Sequence, residues 1–359
     1  MFLLALCLAF VEPPLSDQIA RIGSDHAALE KWFDEELRAA NHDREKVDEA
    51  NEAYQAKWFG FATELTALIK AHPGDPAAVD GLIALTGSMR TFLDDELLQI
   101  ALRNRDDERM GRLCFNVLHR GGEPWAEAIA KAVAESNPSR EVRGQAVFCR
   151  GYLCRSAAFP YGQPVPEKER DNLVARARGF FNEAVEKYAD VPTPNGSPTI
   201  GERATSELKR FDNLPNLKVG GVAPEIEGKD LKGKPLKLSD HRGKVVVVVF
   251  WGSWCDPCMA MVPHERQLWA RHRDKPFTLL GVNCGDSLET ARKTAADNQM
   301  DWPSFHDGDD GRGGPITTGY DVQKYPTVYV IDAKGVIRYI DARGKELEEA
   351  VETLLAELK

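Results

Sequence analysis

From Ser16 to about Phe211, apolar residues recur every three or four positions. Between Asp43 and Ile69 they are Val47, Ala50, Tyr54, Trp58, Phe61, Leu65 and Ile69, set among many charges. That spacing predicts a long amphipathic helix. Further helical segments are predicted near 77–88, 91–104, 107–119, 124–135, 140–156, 168–189 and 199–211. His72-Pro73-Gly74-Asp75-Pro76 separates two of them, with Asp75 placed to cap and Pro76 to open the next helix. His72-Pro73 and Asn137-Pro138 each precede a helix with small residues on one face. The echo points to repeat-like helical hairpins, loosely of tetratricopeptide type, although no full repeat signature is present and an irregular bundle is an equal alternative.

The pattern changes after Tyr188. A breaker-rich stretch, Val191-Pro192-Thr193-Pro194-Asn195-Gly196-Ser197-Pro198, precedes one last helix, and Gly220-Gly221 opens a region of alternating strands and helices. Val245 to Phe250 is five valines and a phenylalanine, the composition of a strand buried on both faces. A helix from Asp256 to about Arg273 follows it. Strands are expected at Phe277 to Asn283, Thr327 to Ile331 and Val336 to Ile340, with helices at Leu288 to Gln299 and Glu346 to Leu358. The predicted organisation is an all-α domain over 16–216 and an α/β domain over 217–359.

Residues 2–11 (FLLALCLAFV) are uncharged and end at Glu12-Pro13-Pro14. Ten apolar residues are too few to span a bilayer, which takes ~20, but they suit the apolar core of a secretory signal. Residues 1–15 are therefore read as a signal peptide or N-terminal anchor, which implies a periplasmic or other cell-envelope location. The formal net charge is −10, from 46 Lys and Arg against 56 Asp and Glu. No basic field is available for nucleic acid. Most of the acidity lies in the helical half and reads as solvated surface.

Seven cysteines are far too few for a disulfide scaffold. Two of them form Cys255-Asp256-Pro257-Cys258, where the buried strand meets its helix. Cys255 falls at a helix N-terminus, where unpaired N–H groups and the helix dipole favour a thiolate. Cys258 lies one turn inside. The pattern suits thiol–disulfide exchange, with Cys255 attacking and Cys258 resolving. Asp256 opposes extra negative charge beside Cys255, which favours a reducing protein. A structural zinc site needs a second matched pair, and His264 and Cys284 do not make one. The acidic stretch Asp307-Gly308-Asp309-Asp310-Gly311 lacks the ligand spacing of a calcium loop. Cys114, Cys149 and Cys154 lie among apolar helical neighbours and read as inert. Cys284 ends a strand, where it is either a buried filler or a third thiol near the pair.

Residues 217–359 resemble the bacterial thioredoxin-like reductases of the TlpA/ResA type. The motifs are G-G-V-A-P-E-I from Gly220, D-L-K-G-K from Asp230, L-S-D-H-R-G-K from Leu238, F-W-G-S-W-C-D-P-C from Phe250 and K-Y-P-T-V-Y-V-I-D from Lys324. The resemblance implies a thioredoxin fold and a catalytic set of Cys255, Cys258 and a cis-proline, Pro326. It implies substrate contacts from Trp254, Tyr325 and Pro257, and a helix-kinking Pro263. The redox group is the Cys255–Cys258 disulfide itself, with no other cofactor and no metal. The partners implied are protein disulfides and a thiol-based electron donor, free or membrane-bound, with the helical domain binding another protein. The alternative is a helical-repeat adaptor with a redox-sensing thioredoxin-like appendage.

Two positions depart from the pattern. Many relatives carry a Glu where this chain has Met261, and thioredoxin has a buried Asp where this chain has Val249. Glu265, one turn beyond Met261, is expected to be solvent-exposed. A peroxidase site would need Thr or Ser at position 252, which is Gly252.

Overall fold

The computed structural model describes residues 12–40, 43–87, 89, 91–160, 164–308 and 313–358. The apolar segment at 2–11, with Cys7, and the acidic positions 309–311 lie outside the described residues. Among the described residues, no helix is long and apolar enough to cross a membrane.

The chain divides into two compact units, 1–202 and 203–359. The first is helical: α1 (Leu15–Ala40), α2 (Arg44–Ala71), α3 (Ala78–Thr86), α4 (Asp95–Arg103), α5 (Met110–Asn116), α6 (Pro124–Ser136), α7 (Arg140–Ala158) and α8 (Glu167–Tyr188). Asp43 caps α2 by accepting from the N–H groups of Glu45 and Lys46. Asp75 accepts from Ala77 N–H at 2.8 Å, so it heads a turn at Pro76-Ala77 and α3 begins only at Ala78. The longer helices pack on their sequence neighbours, α1 on α2, α6 on α7 and α7 on α8. The small residues of α7 have a steric reason: a Cβ on Gly144 would strike the Tyr188 ring, and one on Gly151 the Phe181 ring. Cys114, Cys149 and Cys154 are buried free thiols, and Cys149 Sγ donates to Cys114 O at 3.0 Å. Burial pushes the Cys149 thiol well up.

The division falls near the start of α9 (Ile200–Asn213), not after it at 216 where the change in texture placed it. Most of α9 therefore counts with the second unit. Arg210 reaches Asp321 at 2.7 Å, and Asn213 Nδ2 donates to Gly319 O at 2.9 Å. Polar side chains that reach far along the chain carry no local sequence signal.

The second unit holds β1 (Glu227–Lys229), β2 (Pro235–Lys237), β3 (Val245–Trp251), α10 (Asp256–His272), β4 (Phe277–Asn283), α11 (Leu288–Asp297), β5 (Ser304–His306), α12 (Pro315–Gly319), β6 (Thr327–Ile331), β7 (Ile337–Ile340) and α13 (Gly344–Ala356). β1 and β2 form a short hairpin. The main sheet has the order β5-β4-β3-β6-β7, with β3, β4 and β5 mutually parallel and β6 and β7 antiparallel to their neighbours. It is a thioredoxin-fold sheet. Strand alternation sorts the core into two layers. Val245, Val247, Val249 and Trp251 pack under α10, α11 and α13 with Val262, Leu268, Ala291 and Val351. Val246, Val248 and Phe250 pack on the other face with Ile226, Phe305 and Tyr320. All seven residues of β3 are buried, as a central strand covered on both faces requires.

Candidate active site around Cys255 and Cys258

β3 ends at Trp251, and Gly252-Ser253-Trp254 turns the chain into α10. The turn is held from the neighbouring strand. The Asp286 carboxylate, beyond the end of β4, accepts from Ser253 N–H at 2.8 Å, Ser253 Oγ at 2.5 Å and Asn283 Nδ2 at 2.7 Å. Trp254 Nε1 donates to Cys284 O at 3.0 Å. The indole lies so close over Gly252 that a Cβ there would press into it. Glycine is needed at 252 because of the ring above it.

Cys255 is the N-cap of α10, with φ −96° and ψ 92°. Its Sγ accepts from Cys258 N–H at 3.2 Å, and its carbonyl accepts from the same N–H at 2.9 Å. Cys255 and Cys258 are joined in a disulfide with Cα atoms 5.2 Å apart. Both are nearly sealed, at 5% and 2% exposure, beside a Trp254 that is 52% exposed. Asp256 and Pro257 are exposed on the first turn. Pro257 meets no conflict there, since that turn's N–H groups have no intrahelical partner.

The Tyr325-Pro326 peptide is cis. Sheet register brings it to the cysteines' end of the sheet: Thr327, the first residue of β6, pairs with Phe250 of β3. Pro326 therefore sits across from Trp251, at the edge where the cysteine loop begins. The Tyr325 and Trp254 rings meet edge-to-face at 5.0 Å between centroids, and Arg343 donates to Pro326 O at 2.7 Å. The six residues singled out from sequence, Trp254, Cys255, Pro257, Cys258, Tyr325 and Pro326, thus share one sheet edge.

Behind that edge is a buried polar cluster that sequence reasoning missed. Cys284 Sγ lies 3.1 Å from Thr317 Oγ1, and burial raises the nearby Tyr325 hydroxyl. Asp307 accepts from the N–H groups of Gly314, Ile316 and Thr317 at 3.0, 2.8 and 2.6 Å, so this acid caps α12. Burial raises the Cys284 thiol to about 12, with the Asp307 charge adding to it. Cys284 is a buried filler at this edge, and the third-thiol reading has no support in its environment. The available sequence signal was weak: Asp286 and Asp307 each follow a strand by a few residues, as do many loop acids.

Met261 is half-buried and Val249 buried, and neither offers an ionisable group. Glu265 corrects the sequence reading. It is 2% exposed, not solvated, and burial pushes its carboxyl up to about 8. It lies seven residues after Cys258 and three after Val262, so helical spacing returns it to the buried face of α10. Among the described residues, no group of His, Cys, Asp and Glu is arranged to hold a metal ion.

The chain is similar in sequence to known proteins. A family model described as the AhpC/TSA family matches residues 219–340. Over 149 residues the chain is 33% identical to the thiol-disulfide oxidoreductase ResA of Geobacillus kaustophilus, covering 42% of this chain and 83% of that protein. Over 139 residues it is 31% identical to the thioredoxin-like protein YneN of Bacillus subtilis, covering 38% and 80%. Among solved structures, the thioredoxin domain of a thiol-disulfide oxidoreductase from Bacteroides vulgatus shares 29% identity over 38% of this chain and 98% of that one, with a TM-score of 0.36. Through its C-terminal unit, this chain belongs to the thioredoxin-like thiol–disulfide oxidoreductases of the ResA type.

Proposed function

We propose that the chain reduces disulfides of cell-envelope proteins through the Cys255–Cys258 pair. The observation that carries this reading is the placement of Cys255: its Sγ is the cap of α10 and accepts the Cys258 N–H, beside the exposed Trp254. A thiolate there meets the positive end of the helix and a ready N–H donor. Cys255 thiolate attacks one sulfur of the substrate disulfide and expels the other as thiolate, giving a mixed disulfide. Cys258 then attacks Cys255 Sγ and releases the second substrate thiolate. The substrate gains two electrons and the cysteine pair loses two.

Pro326 and Tyr325 form one wall for an extended substrate segment, and Trp254 and Pro257 the other. Asp256, exposed on the first turn, opposes the second negative charge and so favours reduction of substrate over oxidation. The pair must be recharged by another thiol protein, because its own electrons are spent in each turnover. The segment at 2–11 suits export or anchoring, and the helical unit suits docking of a protein partner. In the full chain, Cys255→Ser should abolish insulin reduction by dithiothreitol, and Cys258→Ser should accumulate mixed disulfides visible on non-reducing gels. Undiminished activity of the Cys255→Ser protein defeats the reading.

A further inference from the structure

Met261 and Val249 place no ionisable group beside the resolving thiol. Glu265 is an acid that nothing so far has used. Seven steps of ~100° bring it within ~20° of the direction of Cys258 on α10, ~10 Å along the axis. Side chains on a helix lean toward its N-terminus, which here is the cysteine end. The carboxyl is 2% exposed and makes no hydrogen bond or ion pair among the described residues, and its Oε1 is sealed. An unpaired buried carboxyl is costly, and an apolar residue would fill the position without that cost.

The other ionisable groups around Glu265 are engaged elsewhere or face away. β3 and β4 contain none. On α13, Glu348 and Glu352 are drawn to Arg271, and Lys345 to Glu349. α13 turns Leu347, Ala350, Val351 and Leu354 inward. α11 presents Ala291 and Ala295, and pairs Lys293 with Asp297 outside. On α10 itself, Arg266 bonds Gln299, and His272 lies 3.2 Å from Lys275. His264, next to Glu265 in sequence, is half-buried and has no hydrogen bond to it. On α10, Cys258 and His272 share Glu265's buried face, seven residues before and seven after it, and His272 stands at the end of the helix away from the cysteines. The layer is also unusually polar. On the same sheet face, Trp251 Nε1 and Ser304 Oγ converge over Gly281, and neither has a partner.

We propose that the Glu265 carboxyl and the Cys258 thiol titrate as a coupled pair, so that Glu265 takes up a proton when the disulfide is reduced and releases it when the disulfide re-forms. The proposal rests on the redox reading of the Cys255–Cys258 pair. Reduction delivers two electrons from the thiol donor to the S–S bond and up to two protons from solvent, shared among the two sulfurs and Glu265. Where Cys258 stands as thiolate, its charge raises the affinity of Glu265 for the proton that the sulfur lacks. When Cys258 attacks Cys255 Sγ, that charge leaves with the substrate thiolate and Glu265 returns its proton. Burial already brings the carboxyl to about 8, out of the usual carboxylate range and into the range where thiols ionise.

The test is the reduction potential of the full chain against pH, equilibrated with dithiothreitol mixtures. Around pH 8 the wild type should take up more protons per two electrons than Glu265→Gln, with neither exceeding two. Carbon-13 NMR of side-chain-labelled glutamate in the wild type gives a second readout that needs no variant. The Glu265 carboxyl should titrate roughly one pH unit or more higher in the reduced protein than in the oxidised one. Superimposed pH profiles, or the same carboxyl titration in both redox states, overturn the coupling while leaving the exchange reaction intact. Absence of any reversible two-electron couple overturns the redox reading and the coupling together.

Discussion

The two faces of the central sheet treat buried polar groups in opposite ways. On the Tyr320 face the groups nearest the site are satisfied: Tyr320 hydroxyl donates to Pro224 O, and Asp307 takes three N–H groups. At the same edge, Cys284 shares a hydrogen bond with Thr317. On the α10 face, Trp251 Nε1, Ser304 Oγ and Glu265 Oε1 have no partner. A satisfied network resists change because every member is held by another. An unsatisfied layer keeps the capacity to respond to charge. The reactive pair lies over the second face, with Cys255 and Cys258 in its core.

Substitutions can break this contrast. The largest effect on activity should come from Cys255→Ser, a loss of at least ~100-fold in insulin reduction, because the nucleophile is removed. Glu265 should dominate the pH dependence of stability. Its folded carboxyl is raised to about 8 from the ordinary glutamate value of 4.5, so between those limits the folded state holds a proton that the unfolded chain has released. Stability of the sheet unit should therefore fall as pH rises through that window, by up to ~1.4 kcal/mol per unit, and level off above it. Urea titrations of wild type and Glu265→Gln should differ in that slope. Asp286→Ala removes the acceptor of three hydrogen bonds at the cysteine loop, and should cost about 2–3 kcal/mol in the same titration and lower kcat. Tyr320→Phe, on the satisfied face, should cost about 1 kcal/mol with activity unchanged. Cys284→Ala should change activity least, by less than about twofold. In the native protein Cys284 should resist thiol reagents at pH 8 and react only on unfolding.

The same contrast explains what could be read from the sequence. β3, β4 and β6 were legible because each is an apolar run long enough to show its period. β4 and β6 lie where the spacing put them, at Phe277–Asn283 and Thr327–Ile331. β5 was missed because Ser304–His306 is three residues long, too short for a period. The Cys-x-x-Cys loop announced itself by residue type. Its supports, Asp286, Thr317 and Asp307, did not, because their partners are brought together only by the fold. Glu265 was misread for a different reason. Its spacing from Cys258 and Val262 placed it on the buried face, but residue type outweighed spacing, since glutamate is rarely buried without a partner.

Gly252 carries one last consequence, for the routes open to this chain under selection or redesign. A peroxide-reducing thiol site would need a hydroxyl at 252. Here the Trp254 indole occupies the space that any side chain at 252 would enter. A single Gly252→Thr exchange would dislodge that ring from Cys284 O and Tyr325 before the new hydroxyl could serve. Reaching peroxide chemistry would take at least two coordinated changes, the first disabling on its own. One missing side chain thus acts as an evolutionary ratchet that keeps the scaffold committed to disulfides.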